Sequence, residues 1–281
     1  MPELPEVETI RKNLRLGNVN TPSLIGNAIC GGQVLWVRCV VKPPTEEYLL
    51  RLTGQNIQEI GRRGKYLVFS LSRDVMLFHL GMSGDLIVEP LVSPISPHYR
   101  LILDFENGQR LAFNDPRKFG RTWLLEDPSE VLASLGPEPL DVNFTAQDLF
   151  HRLQRYRRKL KPLLMDQEFL AGLGNIYTDE ALHLAHLHPL KLSNQVTLQE
   201  AGRLWESIRQ ILQEGIKRNG ASIDWVYRGG DFQNIFRVYQ RNGKPCPECG
   251  ASIQRFVLGQ RGTHFCPVCQ PWNPDRDILA I

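Results

Sequence analysis

Two cysteine pairs, Cys246-x-x-Cys249 and Cys266-x-x-Cys269, stand sixteen residues apart near the end of the chain. Each pair forms a Cys-Pro-x-Cys turn, which brings two thiols together, and the spacing between the pairs matches a four-cysteine zinc ribbon. Free thiols that share this spacing by chance are the competing reading. Four thiolates complete a tetrahedron, so the ion has no open position and is structural: one Zn2+ per chain, folding a β-hairpin too small to own a core. Arg261 falls between the two halves of this module and is displayed by it. Cys30 and Cys39 have no partner at ligand spacing and read as buried small apolar side chains.

The 281 residues carry 33 Lys+Arg against 30 Asp+Glu, a net charge of only +3. From Phe232 onward, Arg237, Arg241, Lys244, Arg255, Arg261 and Arg276 face Glu248, Asp275 and Asp277, so the whole excess lies in this C-terminal segment. A basic module sits on a neutral body. A hydrophobic content of 42% excludes a chain that stays unfolded, and no apolar run approaches the roughly 18 residues of a membrane span. The first thirty residues lack the apolar stretch of a secretory signal. This predicts a protein of the cell interior, with cysteines as thiols or metal ligands.

The opening predicts a helix. Pro5 suits its first turn, and Val7, Ile10 and Leu14 form one apolar stripe. From about Gln33 to Leu125 the pattern changes to strands, QVLWVRCVV, KYLVFSL, VMLFHL, DLIV, RLILDF, RLAFN and RTWLL, which predict an antiparallel sandwich or barrel. The stretch LGPEPLDVNF at 135–144 reads as a linker. Beyond it Leu149, Leu153, Tyr156, Leu160, Leu163 and Leu164 form a helical stripe, flanked by six cations with no acid at 151–161. A further helix begins with the Thr197/Glu200 capping box and runs to about Arg218. The expected division is 1–135, a β-sandwich or barrel domain; 136–231, a helical domain; and 232–281, a zinc-ribbon hairpin. The fold class is α+β.

Three features carry chemistry, each beside a plainer alternative. The basic stretch at 151–161 is either a solvated face or a surface for an anion. The turn at Gly172 and Gly174 feeds a helix from Asn175, and is either an ordinary helical hairpin or a set of backbone N–H donors for phosphate. With the basic ribbon, phosphate-backbone binding becomes the better account. Pro2 is either a helix-starting residue or, once Met1 is removed, a secondary amine beside Glu3 and Glu6. An α-amino group near pKa 8 is far more often unprotonated at neutral pH than lysine.

Six motifs in order, PELPEVET at 2–9, GRRGKYL at 61–67, HLGMSG at 79–84, NDPRKFG at 114–120, AGLGNIYTDE at 171–180 and QRGTHFCPVCQ at 260–270, give the chain its resemblance. Together they resemble the formamidopyrimidine-DNA glycosylases, bacterial-type enzymes that remove oxidised purines. The resemblance runs from residue 2 to 270 and implies an N-terminal β-sandwich, a helix-two-turn-helix domain with a zinc-ribbon hairpin, and duplex DNA bound between them. It also implies a monomer of the cytoplasm, associated with the nucleoid through DNA.

Residue by residue, the resemblance makes Pro2 the nucleophile, Glu3 the proton donor and shuttle, and Glu6 a supporting group. Lys65 matches the lysine that contacts phosphate beside the lesion; Asn175 and Arg261 match DNA-phosphate contacts, and His79 a position that also reaches the backbone. Met82, Arg117 and Phe119 match the side chains that fill the space left by the flipped nucleotide. A lesion-binding loop would lie between about Ala221 and Asn234. Two positions depart from the pattern: Lys118 stands where a second arginine is usual, keeping charge but not the planar fork, and Gln240 stands where glycine is commoner. The activity implied is base excision with strand cleavage by β,δ-elimination. Its alternatives are an endonuclease VIII-like glycosylase for oxidised pyrimidines and a non-catalytic damaged-DNA-binding protein.

Overall fold

The computed structural model describes residues 1–18, 21–222 and 229–272. The chain forms two units: Met1–Ala133 with Asn219–Gly230, and Ser134–Arg218 with the segment from Asp231 onward. The segment 219–230 leaves the second unit to rejoin the first.

The first unit opens on α1 (Leu4–Leu16), whose expected stripe of Val7, Ile10 and Leu14 is buried. Two sheets follow. The four-stranded one has the order β1 (Ile29–Val34), β7 (Tyr99–Phe105), β8 (Gln109–Asn114), β6 (Asp85–Pro90), all antiparallel. The five-stranded one runs β2 (Val40–Lys42), β9 (Arg121–Leu125), β5 (Val75–His79), β4 (Tyr66–Leu71), β3 (Ile57–Arg63), parallel only between β2 and β9. Phe78 meets Phe69 and Phe113 edge-to-face in the apolar core. Short helices α2 (Thr45–Leu52) and α3 (Ser129–Leu132) complete the unit.

The expected strand at 33–41 is broken after β1 by a 3-10 turn at Val37–Cys39. Cys39 is buried, but Cys30 is exposed, contrary to the expectation. β1 is an edge strand whose alternation turns Cys30 outward beside buried Ile29.

The second unit packs α4 (Ala146–Gln154), α5 (Leu160–Leu164), α6 (Asn175–Leu184) and α7 (Leu198–Lys217) around buried leucines. α7 starts at the expected capping box, with Thr197 Oγ1 accepting from Glu200 N. The single stripe expected through 149–164 is two helices instead. Between them the backbone runs beside 191–193, with Ser193 N donating to Arg158 O and Leu160 N to Lys191 O, both at 2.9 Å. The ribbon contributes the hairpin β10 (Gln254–Leu258) and β11 (Arg261–Phe265).

Candidate functional site

In the first unit, Pro2, Glu3 and Glu6 are all buried at the start of α1. Glu3 is the helix N-cap residue, and its N–H donates to Glu6 Oε2 at 2.8 Å. The other Glu6 oxygen accepts from Ala221 N at 2.7 Å. One carboxylate thus joins the first turn of α1 to the segment that opens the expected lesion loop. Gly220 makes the approach possible: its φ is +82°, and a Cβ there would lie 2.6 Å from Glu6 Oε1. Beyond it, Ser222 Oγ accepts from Gly229 N and Gly230 N at 3.2 and 2.9 Å. Residues 223–228 of the expected loop lie outside the described residues.

Lys65 is the second residue of the two-residue turn between β3 and β4, where Arg63 pairs with Tyr66 and Gly64 takes φ +55°. It is only 5% exposed. His79, paired with Tyr66 across β4 and β5, is its neighbour. Burial first, and then the Lys65 charge, push the His79 pKa down to about 4. Its Nδ1 accepts from Gly81 N at 3.3 Å. The neutral ring therefore carries its proton on Nε2.

Met82, Arg117 and Phe119 come from two loops locked to each other. Asp115 is fully buried; its carboxylate accepts from Ser83 Oγ at 2.5 Å and from Gly120 N at 2.7 Å. Arg117 N in turn donates to Ser83 Oγ at 3.2 Å. Gly81 lies so close to the second loop that a Cβ would sit 2.6 Å from the Phe119 carbonyl carbon. Phe119 is 50% exposed with the Arg117 guanidinium 5.5 Å from its ring centre, so apolar and cationic surface are presented together. Below them Trp36 takes Lys118 and Arg121 over its ring, each at 5.6 Å. Arg121 Nη1 donates to the carbonyls of Lys118 and Gly120. The unusual Lys118 is thus an anchor of this loop, in a left-handed conformation at φ 62°.

In the second unit, Asn175 is the first residue of α6, and its Nδ2 donates to Tyr239 Oη at 3.4 Å. Arg261 is exposed at the start of β11. The backbone that carries it is tied down by buried charge. Lys161 Nζ lies 2.7 Å from Asp179 Oδ1 and donates to Gly262 O at 2.8 Å, while Asp179 Oδ2 accepts from His264 N at 2.9 Å. Arg158, Lys161, Pro162, Met165 and Arg261 line a cavity of about 260 Å3. Glu180, also fully buried, accepts from the backbone N–H groups of Arg237, Val238 and Tyr239 at 2.8 to 3.0 Å. Burial raises its pKa against those donors.

Sγ of Cys246 lies 3.8 Å from that of Cys269, and Cys249 Sγ 3.4 Å from Cys266 Sγ, with all four sulfurs within 4.8 Å of one another. A tetrahedron with Zn–S near 2.3 Å has edges of about 3.8 Å. The donor set therefore fits one structural zinc.

Sequence reasoning passed over Ser83, Asp115, Asp179 and Glu180, although each lies inside a quoted motif. Acids inside an otherwise buried segment were the available signal, because buried charge persists only when paired. Trp36 and Lys161 lie outside those motifs.

Residues 1–122 match the family description "Formamidopyrimidine-DNA glycosylase N-terminal domain", residues 135–226 "Formamidopyrimidine-DNA glycosylase H2TH domain", and residues 243–271 "Zinc finger found in FPG and IleRS". The chain is 41% identical over 280 residues to a formamidopyrimidine-DNA glycosylase of Protochlamydia amoebophila, covering 96% of this chain and 99% of that one. It is 43% identical to one of Chloroflexus aurantiacus, covering 96% and 98%. Among solved structures, a complex between Lactococcus lactis Fpg and abasic-site DNA superposes with a TM-score of 0.89 at 38% identity, covering 96% of this chain and all of that one. A complex of the same protein with Fapy-dG-containing DNA gives 0.88 at the same identity and coverage.

Proposed function

The chain belongs to the formamidopyrimidine-DNA glycosylase family, and from that premise we propose how its residues divide the work of excising oxidised purines from duplex DNA and cutting the strand. The observation that carries the reading is the buried Pro2-Glu3-Glu6 cluster, in which one carboxylate fixes both the helix start and the Ala221 segment.

A lesion inside the stack is unreachable, so the nucleotide rotates out at a cost of roughly a few kcal/mol. Met82 and Phe119 refill the gap with apolar surface, and Arg117 donates to the base left unpaired. Lys65, Asn175 and Arg261 grip phosphates, and His79 offers its Nε2–H to the backbone. After removal of Met1, the Pro2 secondary amine attacks C1′ as the base departs, with Glu3 supplying and relaying the proton. The adduct opens to an iminium ion, which acidifies the C2′ hydrogen. Loss of that proton expels the 3′ phosphate, and a second elimination expels the 5′ phosphate. The zinc holds the ribbon that displays Arg261 and takes no part in these steps.

The expected three-part division at 135 and 231 remains part of this reading. No helix among the described residues is long and apolar enough to cross a membrane, and association with the nucleoid follows from DNA binding. Borohydride trapping on an oligonucleotide carrying one 8-oxoguanine tests the proposal. Untagged protein is expected to form a covalent adduct, protein with an uncleaved N-terminal tag is not, and Pro2→Gly, which keeps only a primary α-amine, should trap more slowly than the parent. Trapping at the parent rate by either would place the nucleophile elsewhere.

A further inference from the structure

α6 carries a buried imidazole that the chemistry above does not use. His183 is fully buried, with Nε2 3.3 Å from Cys246 Sγ and Nδ1 3.2 Å from Arg237 Nε. A guanidinium can only donate. Nδ1 is therefore the accepting nitrogen, and the single proton of the neutral ring is on Nε2, facing the sulfur. A zinc-bound cysteine is a thiolate and accepts. Arg237 is held in turn: its Nη2 pairs with Glu248, and its backbone N–H donates to Glu180 Oε2 at 2.8 Å. The chain of contacts leaves the Cys-Pro-Glu-Cys turn at Glu248, passes through Arg237 and His183, and returns to the turn at Cys246.

We infer that His183 steadies the zinc site from outside the coordination sphere: its Nε2–H donates to the Cys246 thiolate, orients that ligand, and ties metal retention to α6. It is a positioning residue, of the kind that fixes ligands in metal sites generally. An N–H···S bond occupies one lone pair of the sulfur and fixes its direction, which slows the departure of Cys246 from the metal. Cys246 is then the last of the four ligands to leave. The same contact makes α6, which begins with Asn175, sensitive to whether the ribbon is metallated.

The test uses full-length zinc-loaded protein with His183→Phe, which keeps the ring and removes the donor, and His183→Gln, which keeps an N–H donor. Zinc transfer to excess chromogenic chelator is expected to be about ten- to a hundredfold faster in the Phe variant, the effect of one hydrogen bond to a charged acceptor. The Gln variant should recover at least half of that loss on a logarithmic scale. Equal release from the Phe variant and the parent overturns the inference, and so does fast release from both variants, which would mark a packing role. Cobalt-substituted parent and Phe variant should share a four-sulfur spectrum. A nitrogen-ligand signature in the parent would make His183 a direct ligand and equally overturn it. Should the Phe variant fail to fold, 15N-histidine spectra of the parent decide: an Nε2–H tautomer supports the assignment, and an Nδ1–H or doubly protonated ring refutes it.

Discussion

Replacing Glu6 by glutamine leaves the shape of the side chain unchanged and removes one acceptor. Both carboxylate oxygens are committed, Oε2 to Glu3 N at 2.8 Å and Oε1 to Ala221 N at 2.7 Å. Whichever way the amide is turned, its NH2 meets a backbone N–H. One bond to a charged acceptor, about 1.5–3 kcal/mol, is lost, and a buried donor is left unsatisfied at about 1–3 kcal/mol if no water reaches it. Because these figures overlap, the net cost is about 2–4 kcal/mol. At about 2–4 °C per kcal/mol for a unit of this size, the first unit should melt roughly 4–16 °C lower. Borohydride trapping should slow at least tenfold, since the Glu3 backbone and the Ala221 segment cannot both stay in register with Pro2. Circular dichroism melts and single-turnover trapping at 25 °C measure the two effects. A melt within about 2 °C of the parent, with unchanged trapping, would mean that neither contact supports the site, and the bridging role of Glu6 would have to be abandoned.

Arg261→Ala should weaken binding to undamaged duplex and flatten the slope of log affinity against log salt by about 0.9, one phosphate contact, as read by fluorescence anisotropy; an unchanged slope would remove Arg261 from the contact set. Asp179→Asn breaks a buried ion pair and should cost about 3–5 kcal/mol of second-unit stability, measured by denaturant unfolding. Arg117→Ala should narrow the preference for lesions opposite cytosine over adenine by roughly ten- to a hundredfold, because cytosine offers O2 and N3 to the guanidinium fork and adenine offers one acceptor; equal loss on both substrates would leave Arg117 only as a wedge. His79, its pKa lowered to about 4 by burial, favours the fold in its neutral form. Its stabilising contribution is full above the unfolded value near 6.5 and disappears as pH falls toward 4, so His79→Gln should flatten the stability profile between pH 6.5 and 4. A profile unchanged by the substitution would contradict that sign.

What was legible in the sequence follows the periods that burial imposes. α1 and α7 announced themselves through an apolar stripe and a capping box, and most strands of the sandwich through their apolar runs. β3 escaped because a bulge between Ile57 and Glu59 puts its buried residues, Ile57 and Ile60, three apart. α2 escaped because a two-turn helix after Pro43-Pro44 buries only Tyr48 and Leu52, too little to show a period. The metal ligands could be named from spacing alone, since a tetrahedron closed by short turns leaves the sequence little freedom. The loop clamp of Ser83 and Asp115 could not, because those partners are 32 residues apart and only the folded sheets bring them together.

α6 shows why spacing arguments stop where they do. Its segment NIYTDEALHL lacks a clean apolar stripe, yet all but its first residue and its last are among the buried polar and apolar residues at Ile176–His183. Asn175, Asp179 and His183 recur at intervals of four, so they stack along one face. Along that face Asn175 meets Tyr239, Asp179 meets Lys161 and His264, and His183 meets Cys246. Glu180, one residue on, holds the backbone of 237–239. Among the described residues the ribbon's apolar cluster is small, Val238, Ala251, Ile253, Cys246, Cys266 and Cys269, with Phe256 and Phe265 meeting edge-to-face on the hairpin, too little to steady it by hydrophobic burial alone. α6 replaces the missing core with directed polar contacts, each of which needs a partner far away in sequence. A helix that works in this way looks polar in sequence and buried in structure, and its buried Asp and Glu are the residues whose loss should uncouple Arg261 from Asn175 while leaving the four zinc ligands in place.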